Sequence, residues 1–122
     1  MISEIKFRRY YLMDLNILTI KKLNQGLMKG EFSAVEVSEA FFTNIREKDN
    51  EINAYLNLTE EAAMETAAAV DAEISAGDNI GILAGIPLAI KDNILIENIT
   101  CTAGSKILSD YKGSYNATVI NK

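Results

Sequence analysis

Apolar residues recur at helical spacing three times along the first two thirds of the chain. After Thr19, a residue suited to an N-cap, Ile20, Leu23 and Leu27 fall on one face, and Gly30 stands where a C-terminal cap belongs. Lys21 and Lys22 lie in the first turn of this helix, where the helix dipole opposes positive charge. Ser33-Ala34-Val35-Glu36 has the form of a capping box, and behind it Val37, Phe41 and Ile45, with Ala40 beside them, predict a second helix running to about Lys48. That stripe fits a core face or a groove for a partner helix; the core is the simpler use, since every globular helix needs one. Ala54-Tyr55-Leu56-Asn57-Leu58 alternates and reads as a short strand. Thr59 then caps a third helix, with Glu60 and Glu61 well placed in its first turn and Ala63, Ala67, Val70 and Ile74 as its buried stripe, ended by Gly77-Asp78-Asn79.

The pattern then changes. Leu83-Ala84-Gly85-Ile86-Pro87-Leu88-Ala89-Ile90 is almost wholly apolar and leads into Lys91-Asp92-Asn93-Ile94. Pro87, the only proline, suits the first position of a strand, where its missing N–H matters least. From Leu88 the segment reads as a short buried strand, apolar on both faces, with Pro87, Ala89 and Lys91 on one side and Leu88, Ile90 and Asp92 on the other. Lys91 admits two readings. If the strand ends at Ile90, its ammonium reaches water or pairs with an acid, which pattern alone favours. If it is held desolvated, its neutral form is a base; lowering its pKa from about 10.4 to about 7 takes roughly 4–5 kcal/mol against the charged form.

Beyond a loop at Glu97–Thr100, Thr102-Ala103-Gly104-Ser105 supplies small residues for close backbone approach, without the spacing of a phosphate-binding glycine loop. Tyr115–Val119 leads toward a further helix, with Thr118 near its start. There is no internal repeat, and the alternation of helices and short strands reads as one α/β unit.

Composition narrows the chemistry. With 122 residues and 48% hydrophobic positions the chain can bury a core, and a net charge of −5 argues against a nucleic-acid grip. The absence of histidine removes Ser-His-Asp and Cys-His catalysis and histidine metal sites. The single cysteine, Cys101, has no internal disulfide partner, which fits a reducing cytoplasm, and no histidine to activate it as a nucleophile. No apolar run is long enough to span a membrane, and the basic patch at Lys6, Arg8 and Arg9 lacks the apolar segment of a secretory signal.

The run from Leu83 to Asn93, followed by Cys101-Thr102-Ala103-Gly104-Ser105-Lys106 and then Tyr115-Asn116-Ala117-Thr118-Val119, resembles the amidase signature family, and within it the A subunits of glutamyl-tRNA(Gln)/aspartyl-tRNA(Asn) amidotransferases. The likeness runs from about Met13 to Lys122 and corresponds to the N-terminal part of a much longer domain. It implies an α/β fold with helices packed on a mixed central sheet, incomplete within these residues. Met13-Asp14-Leu15 resembles the start of such a protein, so residues 1–12 are expected to be a non-native or disordered extension and residues 13–122 the N-terminal portion of the amidase domain.

In that family a Ser–cis-Ser–Lys triad hydrolyses glutamine, and Lys91 occupies the position of its base. The resemblance implies that Asp92 and Asn93 hold the strand end and the lysine, and that Gly104 and Ser105 belong to the pocket wall. Ser105 reads equally as a cap for Lys106–Leu108, since the family's nucleophile lies further downstream. The segment carrying both serines is absent, so the 122 residues alone are expected to be inert. The implied partners are glutamine, two other subunits of a heterotrimer and, through the complex, aminoacyl-tRNA. ATP and Mg would be used by a partner subunit, with no cofactor or metal bound by this chain. The expected compartment is the cytoplasm. Two other readings stand: another amidase of this family acting on a small amide, and a non-catalytic helical interaction module in which Lys91 is a surface residue.

Overall fold

The computed structural model describes residues 18–122; the expected extension at 1–12 and the Met13 start lie outside them. Where the sequence pattern reads as one α/β unit, the described chain condenses into two compact units. One holds residues 18–54 with Leu58–Pro87, the other Tyr55–Asn57 with Leu88–Lys122.

The first unit consists of three helices and a closing loop: α1 (Ile20–Met28), α2 (Ala34–Ile52) and α3 (Glu60–Ala76). Thr19 caps α1 as expected, its hydroxyl oxygen accepting from the Lys22 N–H at 3.2 Å. The far end closes around Gly30, whose φ is +67°. Its N–H donates to the Leu27 carbonyl at 3.0 Å, and the Glu31 N–H to that of Gly26 at 2.9 Å, the paired bonds of a Schellman motif. Gly77 ends α3 in the same way, at φ +85°.

The start of α2 is the best-satisfied helix end among the described residues. The Ser33 hydroxyl accepts from the Glu36 N–H at 3.0 Å, and the Glu36 carboxylate accepts from the Ser33 N–H at 2.8 Å, completing the capping box. The two amides between them are taken by a residue of α3: Asp71 accepts from Ala34 N–H at 2.7 Å and from Val35 N–H at 3.1 Å. All four N–H groups that a helix leaves without internal partners are therefore bonded. The helix runs past Lys48 to Ile52, since nothing in Asp49–Glu51 breaks it; it stops where Asn53 turns left-handed at φ +55°. Arg46 links α2 to the first turn of α3 with two bonds to the Glu60 carboxylate, at 2.7 and 2.8 Å.

Thr59 departs from expectation. Its ψ of 51° contrasts with the extended 160° and 163° of Thr19 and Ser33, and its side chain makes no capping bond. Favourable charge from Glu60 and Glu61 stands in that place.

The core of this unit is Leu23, Leu27, Ala34, Val37, Ala67 and Val70, with Phe41, Ile74 and Ile86 packed against it. Most of the stripe residues read from the sequence therefore face inward, but Ile20, expected on the inner face of α1, is 44% exposed. α2 buries more than its stripe, since Ser38 and Phe42 are buried as well. Gly85 lies directly on the core at φ +73°; a Cβ there would stand 2.9 Å from Ala34 Cβ, 3.1 Å from Leu27 Cδ1 and 3.2 Å from Val70 Cγ1.

Neither expected strand forms. Ala54–Leu58 is exposed and irregular. Leu88–Ile90 is irregular and unpaired, and rather than being buried on both faces it leaves Leu88 58% and Ile90 40% exposed. A strand needs a neighbour to receive its main-chain bonds, and the described residues supply none there. The only sheet-like pairings among them are two isolated bridges, Glu97 with Gly113 and Thr100 with Lys112. They sit in the second unit, a set of loops tied by main-chain bonds around the buried Cys101 and Gly113. Gly113 donates to Ile99 and accepts from Asn98, and a Cβ on it would meet the Ile96 carbonyl oxygen at 2.4 Å. The helix expected after Tyr115 is a single turn, Ile120 bonding back to Ala117 and Asn121 to Thr118.

Two glycines separate backbone strain from crowding. Gly77→Ala meets open space and carries only the left-handed conformation, at about 1–2 kcal/mol. Gly85→Ala adds a crowded core, so its loss is expected to reach about 2–4 kcal/mol. Asp71→Ala strips the fully buried Ala34 of its N–H partner and is expected to cost about 1.5–3 kcal/mol. Urea unfolding followed at the helices measures all three.

Candidate functional site

The motif that carries Lys91 crosses from one unit to the other. Gly85–Pro87 closes the helical unit, and Leu88–Asn93 opens the second. Lys91 is exposed, and its ammonium has no ion-pair or hydrogen-bond partner among the described residues. Of the two readings made from pattern, the described residues show the solvated lysine. Its carbonyl accepts from the Ile94 N–H at 2.9 Å, which turns the chain directly after the lysine.

Asp92 is the most highly bonded residue of the motif, and its partner is not the lysine. Its Oδ1 accepts from the Thr102 N–H at 2.9 Å, and its Oδ2 accepts a short hydrogen bond from the Thr102 hydroxyl. Its carbonyl accepts from the Ala103 N–H at 2.9 Å and from Cys101 Sγ at 3.2 Å. One residue thus grips three consecutive residues of the small-residue loop. Thr102 also accepts from the Gly104 N–H at 3.1 Å, and its carbonyl from the Ser105 N–H at 2.8 Å. The loop bends through two left-handed residues, Ala103 at φ +48° and Gly104 at φ +73°. Space around Gly104 is open, so the glycine serves the turn and not a close approach.

The other expected residues fall as follows. Asn93 is exposed beside Asp92. Ser105 stands at the head of the short 3₁₀ turn Lys106–Leu108, whose Leu108 N–H donates to its carbonyl, while its side chain makes no capping bond. Cys101 is buried and spends its thiol on the Asp92 carbonyl, a packing role. Asp92, Gly104 and Ser105 are thus brought together in one unit. Thr102, which joins them, was not named as a site residue from the sequence; it stood in the small-residue loop and in the quoted Cys101–Lys106 motif, and no periodicity pairs it with Asp92. No cluster of His, Cys, Asp and Glu suited to a metal ion occurs among the described residues. None of their helices is long and apolar enough to cross a membrane.

Comparison with known proteins follows this geometry. The family model described as "Amidase" matches residues 36–122, most of the chain. The chain belongs to the amidase family. Among curated amidase relatives, the A subunit of the glutamyl-tRNA(Gln) amidotransferase of Natranaerobius thermophilus is 42% identical over 110 residues, covering 90% of this chain and 22% of that protein. That of Desulforamulus reducens is 44% identical over 110 residues, covering 90% and 23%. That of Chlamydia abortus is 41% identical over 101 residues, covering 83% and 21%. Two solved structures, both described as a vestigial protein complex that reveals the evolutionary origins of an s-triazine catabolic enzyme, one of them inhibitor-bound, superpose at TM-scores of 0.80 and 0.81. Each is 31% identical to this chain and is matched over 85% of it and 23% of the other chain. The described residues therefore fold as the matching part of these solved structures does, without the expected central sheet, and the chain spans a little over a fifth of the length of these relatives.

Two hydrogen bonds from Thr102 reach the Asp92 carboxylate itself, and two more reach its carbonyl. The Thr102 hydroxyl, then the Thr102 and Gly104 N–H groups, hold the Asp92 carboxyl below its ordinary value, with partial burial opposing them. A group whose folded pKa is depressed contributes stability above its unfolded pKa, about 3.9, and loses it as pH falls through the folded value. The Asp92 carboxyl carbon, followed by NMR, should titrate at lower pH in the native chain than in the urea-unfolded chain. Protection of the Thr102 amide should disappear over the same acid window.

Proposed function

We propose that this chain is the N-terminal portion of a glutamine-hydrolysing subunit of a tRNA-dependent amidotransferase, with Lys91 as the base of its Ser–cis-Ser–Lys triad. What supports the reading is Lys91 in its Gly85-Ile86-Pro87-Leu88-Ala89-Ile90-Lys91-Asp92-Asn93 setting, within a stretch 42–44% identical to two proteins named for the A subunit of glutamyl-tRNA(Gln) amidotransferase. Both serines of the triad belong to parts of the longer amidase domain that this stretch does not match. One serine attacks the glutamine carboxamide carbon, the second relays its proton toward neutral Lys91, ammonia leaves, and water cleaves the acyl-enzyme. The same missing parts supply the strands that pair with Leu88–Ile90, complete the mixed sheet, and exclude water from Lys91. Exclusion of water then disfavours the charged form of the lysine, so that its neutral form can serve as the base. Ammonia passes to a partner subunit that uses ATP and Mg on aminoacyl-tRNA, in a cytoplasmic heterotrimer.

A second reading rests on the solved structures: an amidase of the same family acting on a small amide, in line with a likeness to a complex tied to s-triazine catabolism. No observation favours the non-catalytic module.

The test grafts residues 13–122 onto the remainder of the Natranaerobius protein and measures ammonia release. The graft should hydrolyse glutamine, and the 122 residues alone should not. Lys91→Ala should lower the rate by about a thousandfold or more, and Lys91→Arg should not restore it, since a guanidinium does not deprotonate. Full activity in the Lys91→Ala graft overturns the proposal. Preference for a small neutral amide over glutamine moves the assignment to the second reading.

A further inference from the structure

Lys91 lies between two stretches under very different constraint. On its N-terminal side, Leu88–Ile90 is irregular and exposed, and its main chain makes no hydrogen bond among the described residues. On its C-terminal side, the Ile94 N–H takes the Lys91 carbonyl, and the next residue is gripped four times by Cys101, Thr102 and Ala103. The direction in which the chain presents Lys91 is therefore set from Asp92 onward.

Thr102 is the centre of that grip, and it uses its hydroxyl in both senses. The hydroxyl donates to Asp92 Oδ2 and accepts from the Gly104 N–H, while its own N–H holds Asp92 Oδ1. A valine of the same shape can do neither hydroxyl task; a serine can do both. We infer that Thr102 is a positioning residue for Lys91: by fixing Asp92 it locks the peptide unit that follows the lysine to the Cys101–Ser105 loop, so that lysine and loop move as one body. This rests on the reading of Lys91 as the base, because a base acts only when held within hydrogen-bond reach of the proton it takes. A displacement of about 1 Å can cost on the order of a hundredfold in rate.

Backbone ¹⁵N relaxation on the 122-residue chain tests the lock independently of activity. In the wild type, Lys91, Asp92 and Ala103 should show order parameters near 0.85, the rigid-backbone value; in Thr102→Val the value at Lys91 should fall below about 0.6. Thr102→Ser should restore it, and the amide shifts of α1–α3 should stay in place in both. Asp92→Asn, which keeps the main-chain contacts to Cys101 and Ala103, should give an intermediate loss and stands in if Thr102→Val misfolds. An unchanged Lys91 order parameter, or no rescue by serine, overturns the inference. In the grafted enzyme, Thr102→Val should lower kcat by about tenfold to a hundredfold with KM little changed, again rescued by serine. A fallen order parameter with unchanged kcat, in a graft that Lys91→Ala does inactivate, also overturns it. If Lys91→Ala leaves the graft active, the base reading fails by itself, and the order parameters still decide whether Thr102 positions Lys91.

Discussion

A carboxylate of one helix closes the end of another, and the helical unit depends on it. Asp71 of α3 receives the N–H groups of Ala34 and Val35 at the start of α2. Ala34 is fully buried, so its N–H has no recourse to water. With that amide bonded, the first turn of α2 can sit in the core against Leu27 and Val70, which is also where Gly85 settles. The bond fixes the register of α3 along α2, and the two negative groups of Asp71 and Glu36 complement the positive end of the helix dipole. Arg46 and Glu60 add a second tie between the same helices, but at a half-exposed site where an ion pair is worth little.

The second unit is built on another principle. It has almost no apolar interior, Cys101 being its only buried hydrophobic side chain, and it leaves Ile107 93% exposed. Its shape comes from main-chain bonds across short loops and from Asp92, which binds with both its carboxylate and its carbonyl. Such a unit is ordered by specific polar contacts in place of area burial, and substitutions at Gly113 or Thr102 act on it through geometry. The motif with Lys91 thus joins a packed body to a bonded one: Gly85 is placed by the core, Asp92 by the loop.

The helices were legible because their signals are local. A capping box, a stripe at helical spacing and a terminal glycine each act within a few residues, and Ser33, Glu36, Gly30 and Gly77 behave as their types require. Thr59 shows the limit of such reading: a residue of the right type, at the right place, turned by its own ψ away from the amides it should serve. The strands at Ala54–Leu58 and Leu88–Ile90 were misread for another reason. A strand is defined by its partner, and an apolar run states only that it would be buried if one were present.

By itself the sequence determined the three helices, the inward faces of their stripes, and the candidate site's residue types, with Lys91-Asp92-Asn93 marking the amidase motif. The helices and stripes follow from short-range periodicity, which needs no knowledge of distant neighbours; the motif was recognised only by its resemblance to the amidase family. Only the tertiary structure decided that Asp71 caps α2 from 37 residues away, that Gly85 is a contact point with the core, and that Asp92 turns to Thr102 and not to Lys91. Each of these joins residues far apart in the chain through a donor, an acceptor or a missing Cβ. No periodicity records such pairings, because they exist only once the chain has brought the two sides together.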